Sequence, residues 1–137
     1  MKSTPKIGTT GEFTFIVGPE HVITFATDGM SAVLSTPNLI GLIERTAWES
    51  LQPFLEPDER TVGTEIELRH SAPTPMGARV RIATRVIHVE GRRISFQVEA
   101  RDDEELIARG VHERAVIRVD SFARRLERKS QTRVAPR

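Results

Sequence analysis

The chain has 137 residues, with 20 Lys and Arg against 19 Asp and Glu, a formal net charge of +1 and no cysteine. This length fits one domain around one hydrophobic core, and the balanced charge gives no indication of nucleic-acid binding. The lack of cysteine excludes disulfides, thiolate metal sites and cysteine nucleophiles. The absence of disulfides fits the cytoplasm, where we expect the protein to be located. No apolar run approaches the roughly 20 residues that span a bilayer, so we expect neither a signal peptide nor membrane contact.

The first predicted elements are two short strands. Their side chains alternate between apolar and polar over residues 12–17 and 22–26. Asp28-Gly29 predicts a turn in the loop that follows, which occupies residues 27–35.

A single long helix is predicted next. Thr36 is a suitable N-cap, and Pro37 fits the first helical position because its missing N–H would be unpaired there anyway. Pro53 ends the helix near Gln52. Apolar side chains that recur at helical spacing predict a buried stripe, made of Leu39, Ile40, Ile43, Ala47 and Leu51.

The rest of the chain alternates as β-structure does. Four strands are predicted, over residues 61–71, 79–89, 93–100 and 106–119. Turn signals join the last three into an antiparallel meander, and one helix packed on such a sheet is an α+β fold. Residues from Phe122 onward predict a short helix. We expect a single domain over residues 1–137, with loose tails at 1–10 and 127–137.

Three polar residues stand where hydrolytic chemistry could use them. Thr36 begins the helix, where free N–H groups create positive potential. Glu44 has apolar neighbours at helical spacing, and partial desolvation would make its carboxylate a stronger base. His70 closes a strand, and a neutral imidazole exchanges protons near pH 7. Each also has a simpler interpretation, namely an N-cap, a surface ion pair with Arg45 or another cation, and a core histidine.

Two further residues complete the candidate set. Gly63 begins the same strand as His70, and glycine there lets a ligand approach the backbone, although a bulge or turn would explain it equally. Arg114 on the last strand is a candidate to bind a phosphate or to pair with a carboxylate across the sheet. The four histidines are not at metal-ligand spacing and no phosphate loop is present, so we expect neither a metal nor a cofactor.

Several short motifs occur in order between about Gly11 and Phe122. They are Gly41-Leu42-Ile43-Glu44, Phe54-Leu55-Glu56-Pro57, Val62-Gly63-Thr64, His70-Ser71-Ala72, Pro75-Met76-Gly77, Val89-Glu90-Gly91-Arg92-Arg93 and His112-Glu113-Arg114-Ala115-Val116-Ile117. Together they resemble the fluoroacetyl-CoA thioesterase family of hotdog-fold acyl-CoA thioesterases. The resemblance implies a curved antiparallel sheet of about five strands wrapped round one long helix. It also implies a homodimer, and it leaves open whether dimers pair into tetramers.

The resemblance also implies an activity and a set of site residues. Thr36, Glu44 and His70 fall on the catalytic positions, while Gly63 and Arg114 fall on positions that bind substrate. The implied reaction is hydrolysis of a short or small acyl-CoA thioester to free acid and CoA. One alternative is a protein that binds or senses acyl-CoA without hydrolysis; another is enoyl-CoA hydration, which no residue favours. Nucleophile and general-base roles for Glu44 both stay open.

One segment departs from the family pattern. The fluoroacetyl enzyme carries an aromatic-rich lid between its early strands and its helix. Here the corresponding residues 27–35 are fewer and include no Phe, Tyr or Trp. The resemblance therefore implies the thioesterase chemistry and leaves the acyl group open.

Overall fold

A long helix lies against a five-stranded antiparallel sheet in the computed structural model, which describes residues 1–132. The strands are β1 (Thr10–Ile16), β2 (Glu59–His70), β3 (Arg79–Glu90), β4 (Arg93–Asp102) and β5 (Leu106–Arg118), and the helices are α1 (Thr36–Leu51) and α2 (Val119–Gln131). The predicted α+β architecture, a curved sheet round one long helix, is confirmed. None of the helices within residues 1–132 has the length and apolar character needed to cross a membrane.

The sheet order is β1-β3-β4-β5-β2, and every neighbouring pair is antiparallel. The predicted meander of β3, β4 and β5 is therefore confirmed. β2 pairs with β5 at one end of the sheet, so β1 and β2 are the edge strands. The outer edge of the 12-residue β2 has no ladder partner within residues 1–132. A long edge strand of this kind can pair with another chain.

The core lies between α1 and the concave face of the sheet. Most of the predicted helical stripe is fully buried, at Leu39, Ile43, Ala47 and Leu51, while Ile40 is only half-buried. The sheet covers this stripe with large apolar residues, chiefly Ile82, Val86, Ile94, Phe96 and Val98. Burial of each such side chain contributes about 1.5–3 kcal/mol. The helix is thus fixed in rotation, which decides where its polar residues point.

The strand predicted over residues 22–26 is wrong. Only Val22 makes a β-bridge, with Leu34, and Phe25 is 69% exposed. An alternating pattern forms a strand only where a neighbouring ladder continues along it, and here the pairing stops after a single bridge. The segment is instead part of a loop that leads to α1.

The two segments predicted to be loose tails each include residues with defined contacts or helical structure. The Met1 ammonium lies 2.8 Å from Oε1 of Glu59, and the Lys2 N–H donates to the Phe54 carbonyl. Glu59 is buried, so its carboxylate needs a cation, and the start of the chain supplies one. At the other end, residues 127–131 continue α2, and the rest of that predicted tail lies outside the described residues.

Candidate active site

The start of α1 presents a hydroxyl to an imidazole. Ser35, and not Thr36 as predicted, is the N-cap, because its Oγ accepts a hydrogen bond from the Asn38 N–H at 3.3 Å. Thr36 is the first helical residue, and its hydroxyl is available for another partner. It lies 2.8 Å from Nδ1 of His70. The pair therefore stands beside the unpaired N–H groups of the helix N-terminus.

His70 is the last residue of β2 and is half-buried. Its Nδ1 contacts Thr36, whereas its buried Nε2 has no hydrogen-bond partner within residues 1–132. Burial lowers the pKa of His70, and the nearby backbone of Ala72 only partly opposes this, so the ring is neutral near pH 7. A neutral imidazole with one unpartnered nitrogen is able to give or take a proton.

Glu44 lies two turns further along α1, against Gly63 of β2. A Cβ added to Gly63 would stand 2.6 Å from Oε2 of Glu44, so only glycine leaves the carboxylate this position. The Glu44 side chain is 42% exposed, and its Oε2 lies 3.3 Å from Nη1 of Arg114. The ion pair expected with Arg45 or another cation is therefore made with Arg114, whereas Arg45 pairs with Glu49 on the same helix.

A β-bulge brings Gly63 and His70 to the same side of β2. The ladder with β5 shifts register between Gly63 and Glu65, which leaves Thr64 as an extra residue. In a regular strand, residues seven apart point to opposite faces, and one extra residue reverses that relation. The regular alternation expected over the predicted strand 61–71 is therefore interrupted near its start, between Gly63 and Glu65. The bulge predicted as one interpretation of Gly63 is present, and it serves to align the site.

Arg114 is buried and points its guanidinium at Glu44. It is only 6% exposed; its Nε donates to Oγ1 of Thr61 at 2.9 Å, and its Nη2 donates to the Thr61 carbonyl at 3.0 Å. Of the two partners expected for it, the structure shows a carboxylate, but this carboxylate belongs to Glu44 on α1 and not to a residue across the sheet. Burial lowers the pKa of Arg114, which the Glu44 carboxylate opposes. Its role toward a substrate remains a prediction.

His112 is a buried member of this cluster for which the sequence predicts no role. Its Nε2 lies 3.2 Å from Nη1 of Arg114, and its Nδ1 lies 2.8 Å from the carbonyl oxygen of Glu65. The available signal was its spacing of two from Arg114 on one strand, which places both on the same face. Burial lowers the pKa of His112, and the guanidinium beside it acts in the same direction.

The candidate residues thus form two groups in one protomer. The first is the Thr36–His70 pair, and the second, here named the carboxylate cluster, contains Glu44, Gly63, Thr61, His112 and Arg114. Eight residues separate the two groups along α1, which corresponds to about 12 Å of helix axis. No group of three or more metal-ligating side chains stands close together in residues 1–132.

Solved structures identify the class of protein that this fold represents. A hot-dog-like protein from Thermanaerovibrio acidaminovorans matches with a TM-score of 0.83 at 24% identity, over 96% of this chain and 94% of that one, which shows the fold. A Thermus thermophilus hypothetical protein, described as a thioesterase superfamily member, matches with a TM-score of 0.83 at 29% identity, over 97% of this chain and 100% of that one. The fold is that of hotdog proteins.

Closer relatives define the family. The family model described as FlK, fluoroacetyl-CoA-specific thioesterase, matches residues 17–120. A fluoroacetyl-CoA thioesterase of Streptantibioticus cattleyicolor is 39% identical over 98 residues, which are 72% of this chain and 70% of that protein. A crystal structure of a phenylalanine-to-alanine variant of the fluoroacetyl-CoA-specific thioesterase FlK matches with a TM-score of 0.84 at 33% identity, over 93% of this chain and 99% of that one. The chain belongs to the FlK family of fluoroacetyl-CoA-specific thioesterases.

Proposed function

We propose that this protein hydrolyses a short or small acyl-CoA thioester to the free acid and CoA. The observation that carries the proposal is the carboxylate of Glu44, which is held against Gly63 on one side and Arg114 on the other. Relatives support the reaction class: solved structures of the FlK thioesterase include threonine variants in complex with fluoroacetate and with acetyl-CoA. The cytoplasm remains the proposed location of the activity.

In the proposed reaction each residue has a stated part. Glu44 attacks the thioester carbonyl or activates a water molecule to do so. The backbone at Gly63 and the N-terminus of α1 stabilise the negative charge that develops on the carbonyl oxygen. Thr36 orients His70, whose neutral ring takes up a proton from water, passes it to the CoA sulfur as the sulfur leaves, and so returns to its neutral form. Arg114 holds the carboxylate in place, and we keep its predicted contact with substrate as part of the proposal.

One protomer cannot bring all of these groups to one carbonyl. Groups that act on a single reacting centre lie within about 3.5 Å of it, whereas Thr36 and Glu44 are about 12 Å apart along the helix. A two-fold axis perpendicular to α1 solves this, because it sets two copies of the helix antiparallel. Thr36 and His70 of one protomer then approach Glu44 and Gly63 of its partner. We therefore propose a homodimer whose two sites are each built from both protomers.

The residue numbers support such an axis. On β2, the midpoint between Gly63 and His70 lies near residues 66–67. If the β2 edges of two copies pair antiparallel about that midpoint, Gly63 of one copy lies opposite His70 of the other. The point midway between Thr36 and Glu44 on α1 is residue 40, next to Gly41. A Cβ added to Gly41 would meet nothing within 4 Å, so the helix has open space there for a second helix.

The direct test is release of CoA thiol from a panel of short, branched, aromatic and fluorinated acyl-CoAs. We expect turnover of at least one member, and a fall of about 10²–10⁴-fold in kcat for Glu44→Ala. Glu49→Ala is the matched control, since Glu49 lies on the exposed side of the same helix in a pair with Arg45. Binding of CoA esters without thiol release would instead support a binding or sensing protein.

A mixing experiment tests the shared site. Glu44→Ala is expected to be nearly inactive alone, and Thr36→Ala to retain about a tenth of wild-type activity. If each site takes Thr36 from one protomer and Glu44 from the other, a mixed dimer contains one intact site, and an equal mixture recovers about a quarter of wild-type activity. No recovery after verified exchange of subunits, measured with differently tagged chains, would show that each protomer carries a complete site.

A further inference from the structure

His112 is a buried titratable group that the proposed reaction does not use. It lies on β5 with 2% of its surface exposed, and its ring stacks on Phe96 of β4, with ring centroids 6.2 Å apart at 25°. Both ring nitrogens have partners: the Glu65 carbonyl oxygen at 2.8 Å from Nδ1, and Nη1 of Arg114 at 3.2 Å from Nε2. A histidine held this closely at the edge of the carboxylate cluster calls for an explanation.

The two partners fix the protonation state of His112. A backbone carbonyl only accepts hydrogen bonds, so Nδ1 carries the proton and donates it. A guanidinium only donates, so Nε2 is unprotonated and accepts. His112 is therefore neutral, with its single ring proton on Nδ1.

This imidazole completes the anchoring of Arg114. The Nε and Nη2 groups of Arg114 donate to Thr61, while Nη1 donates to both Nε2 of His112 and Oε2 of Glu44. Because the guanidinium is planar and rigid, contacts on both of its ends fix the direction of the N–H that reaches Glu44. His112 thus acts on the carboxylate through Arg114.

We propose that His112 is a positioning residue for the hydrolysis, whose neutral ring holds Arg114 in the orientation that sets the Glu44 carboxylate against Gly63. This inference rests on the proposed function. The charged groups that face His112 are Arg114 on its own strand and Glu44 on α1; β2 contributes the Glu65 carbonyl, and β4 contributes the uncharged Phe96. Protonation of Nε2 would replace the acceptor by a donor and place a second positive charge 3.2 Å from Arg114, so Arg114 would lose its position.

Two substitutions of similar size separate positioning from packing. The His112→Gln side chain carries a carbonyl oxygen that reaches about as far as Nε2 and can accept from Arg114. The His112→Asn side chain reaches only about as far as Nδ1, so it can donate to the Glu65 carbonyl but leaves Arg114 without its acceptor. We expect the His112→Asn variant to lose about 10-fold to 10²-fold in kcat with little change in KM. The His112→Gln variant should keep most of the wild-type kcat. His88→Asn is the control, because the His88 side chain is exposed on β3 and lies outside the cluster.

Two readouts remain decisive even if the Asn variant folds poorly. In the pH profile of kcat, the acidic limb of the Gln variant should be less steep than that of the wild type, because one ionisation has been removed. In ¹⁵N NMR of the wild type near pH 7, His112 should show a proton on Nδ1 and none on Nε2. A proton on Nε2, or equal kcat for the wild type, Gln and Asn variants, would overturn the proposal. If no acyl-CoA is hydrolysed, the proposed function fails, and the NMR signature still reports on the contact itself.

Discussion

The two groups of candidate residues are held in opposite ways. In the carboxylate cluster, Thr61, His112 and Arg114 are all more than 90% buried, and their polar atoms satisfy one another. In the Thr36–His70 pair, Thr36 is exposed, and the buried Nε2 of His70 has no partner within residues 1–132. One group is complete inside a protomer, and the other is missing a contact.

The difference indicates what each group contributes. A buried polar atom without a partner costs about 1–3 kcal/mol, so its persistence suggests that the contact is made by something outside the protomer. The proposed dimer and substrate together provide such a contact for His70. The carboxylate cluster needs no further partner to fix its geometry, and its role is to hold the Glu44 carboxylate in one position. Substitutions should therefore affect the two groups differently.

After removal of the Glu44 carboxylate itself, the largest effect is expected at Gly63. In Gly63→Ala the new Cβ would stand 2.6 Å from Oε2 of Glu44, so the carboxylate has to move. The displaced atom is the end of a flexible side chain, and the fold should tolerate the change. A displacement approaching 1 Å at a reacting group costs about 10²-fold in rate. We expect kcat for acyl-CoA hydrolysis to fall by about that factor, with nearly unchanged thermal unfolding.

Gly110→Ala is the informative contrast. Gly110 on β5 packs so closely on the backbone of β2 that an added Cβ would overlap the Glu67 carbonyl oxygen. Backbone cannot move aside as a side-chain end does, so this variant should lose stability in calorimetry or chemical denaturation. If Gly63→Ala lowered stability as much as Gly110→Ala while sparing kcat, the close packing at Gly63 would be structural only.

Much of the fold follows from patterns in the sequence, because those patterns reflect burial on one face. Helical spacing from Leu39 to Leu51 and the turn signal at Glu90-Gly91 each depend on residues close together in the chain. The pairing of β2 with β5 does not, since it joins residues about 50 positions apart. Alternation also predicted a strand at Phe25, where no neighbouring ladder continues. Local periodicity indicates that a segment is suited to a strand, but not whether a partner is present.

The site shows the same limit at the level of single residues. The sequence, chiefly through its resemblance to the family, indicates all five candidate residues: Thr36, Glu44, Gly63, His70 and Arg114. Their spatial grouping could not be predicted, because it depends on the bulge at Thr64. That bulge puts Gly63 and His70 on the same face of β2, whereas a regular strand would put them on opposite faces. A bulge adds one residue to one strand and leaves no regular mark on the sequence.

An intermediate effect is expected at the start of α1. Thr36→Val keeps the side-chain shape but removes the hydroxyl that lies 2.8 Å from Nδ1 of His70. One hydrogen bond is worth about 1–1.5 kcal/mol, so kcat should fall about tenfold while Thr36→Ser stays close to the wild type. Ser35→Ala should do the reverse, lowering stability by about 1 kcal/mol through the lost N-cap with little effect on kcat. Equal kcat for the Val and Ser variants would remove Thr36 from the proposed mechanism.

The smallest effect is expected in the pH dependence of stability. Burial lowers the pKa of both His70 and His112 below the usual value of 6.5. Below about pH 6.5 these two histidines therefore bind more protons in the unfolded chain than in the folded chain. The free energy of unfolding then falls as the pH drops toward the lowered pKa values. The ammonium of Met1 lowers the pKa of Glu59 below its ordinary value of 4.5. The stabilising contribution of Glu59 is therefore also lost on acidification, but only below about pH 4.5. Thermal unfolding between about pH 8 and pH 5 should thus show a loss of a few degrees on the acidic side. The loss should shrink in His112→Gln and in His70→Gln, and a Tm that rises on acidification over this range would contradict neutral histidines in both groups.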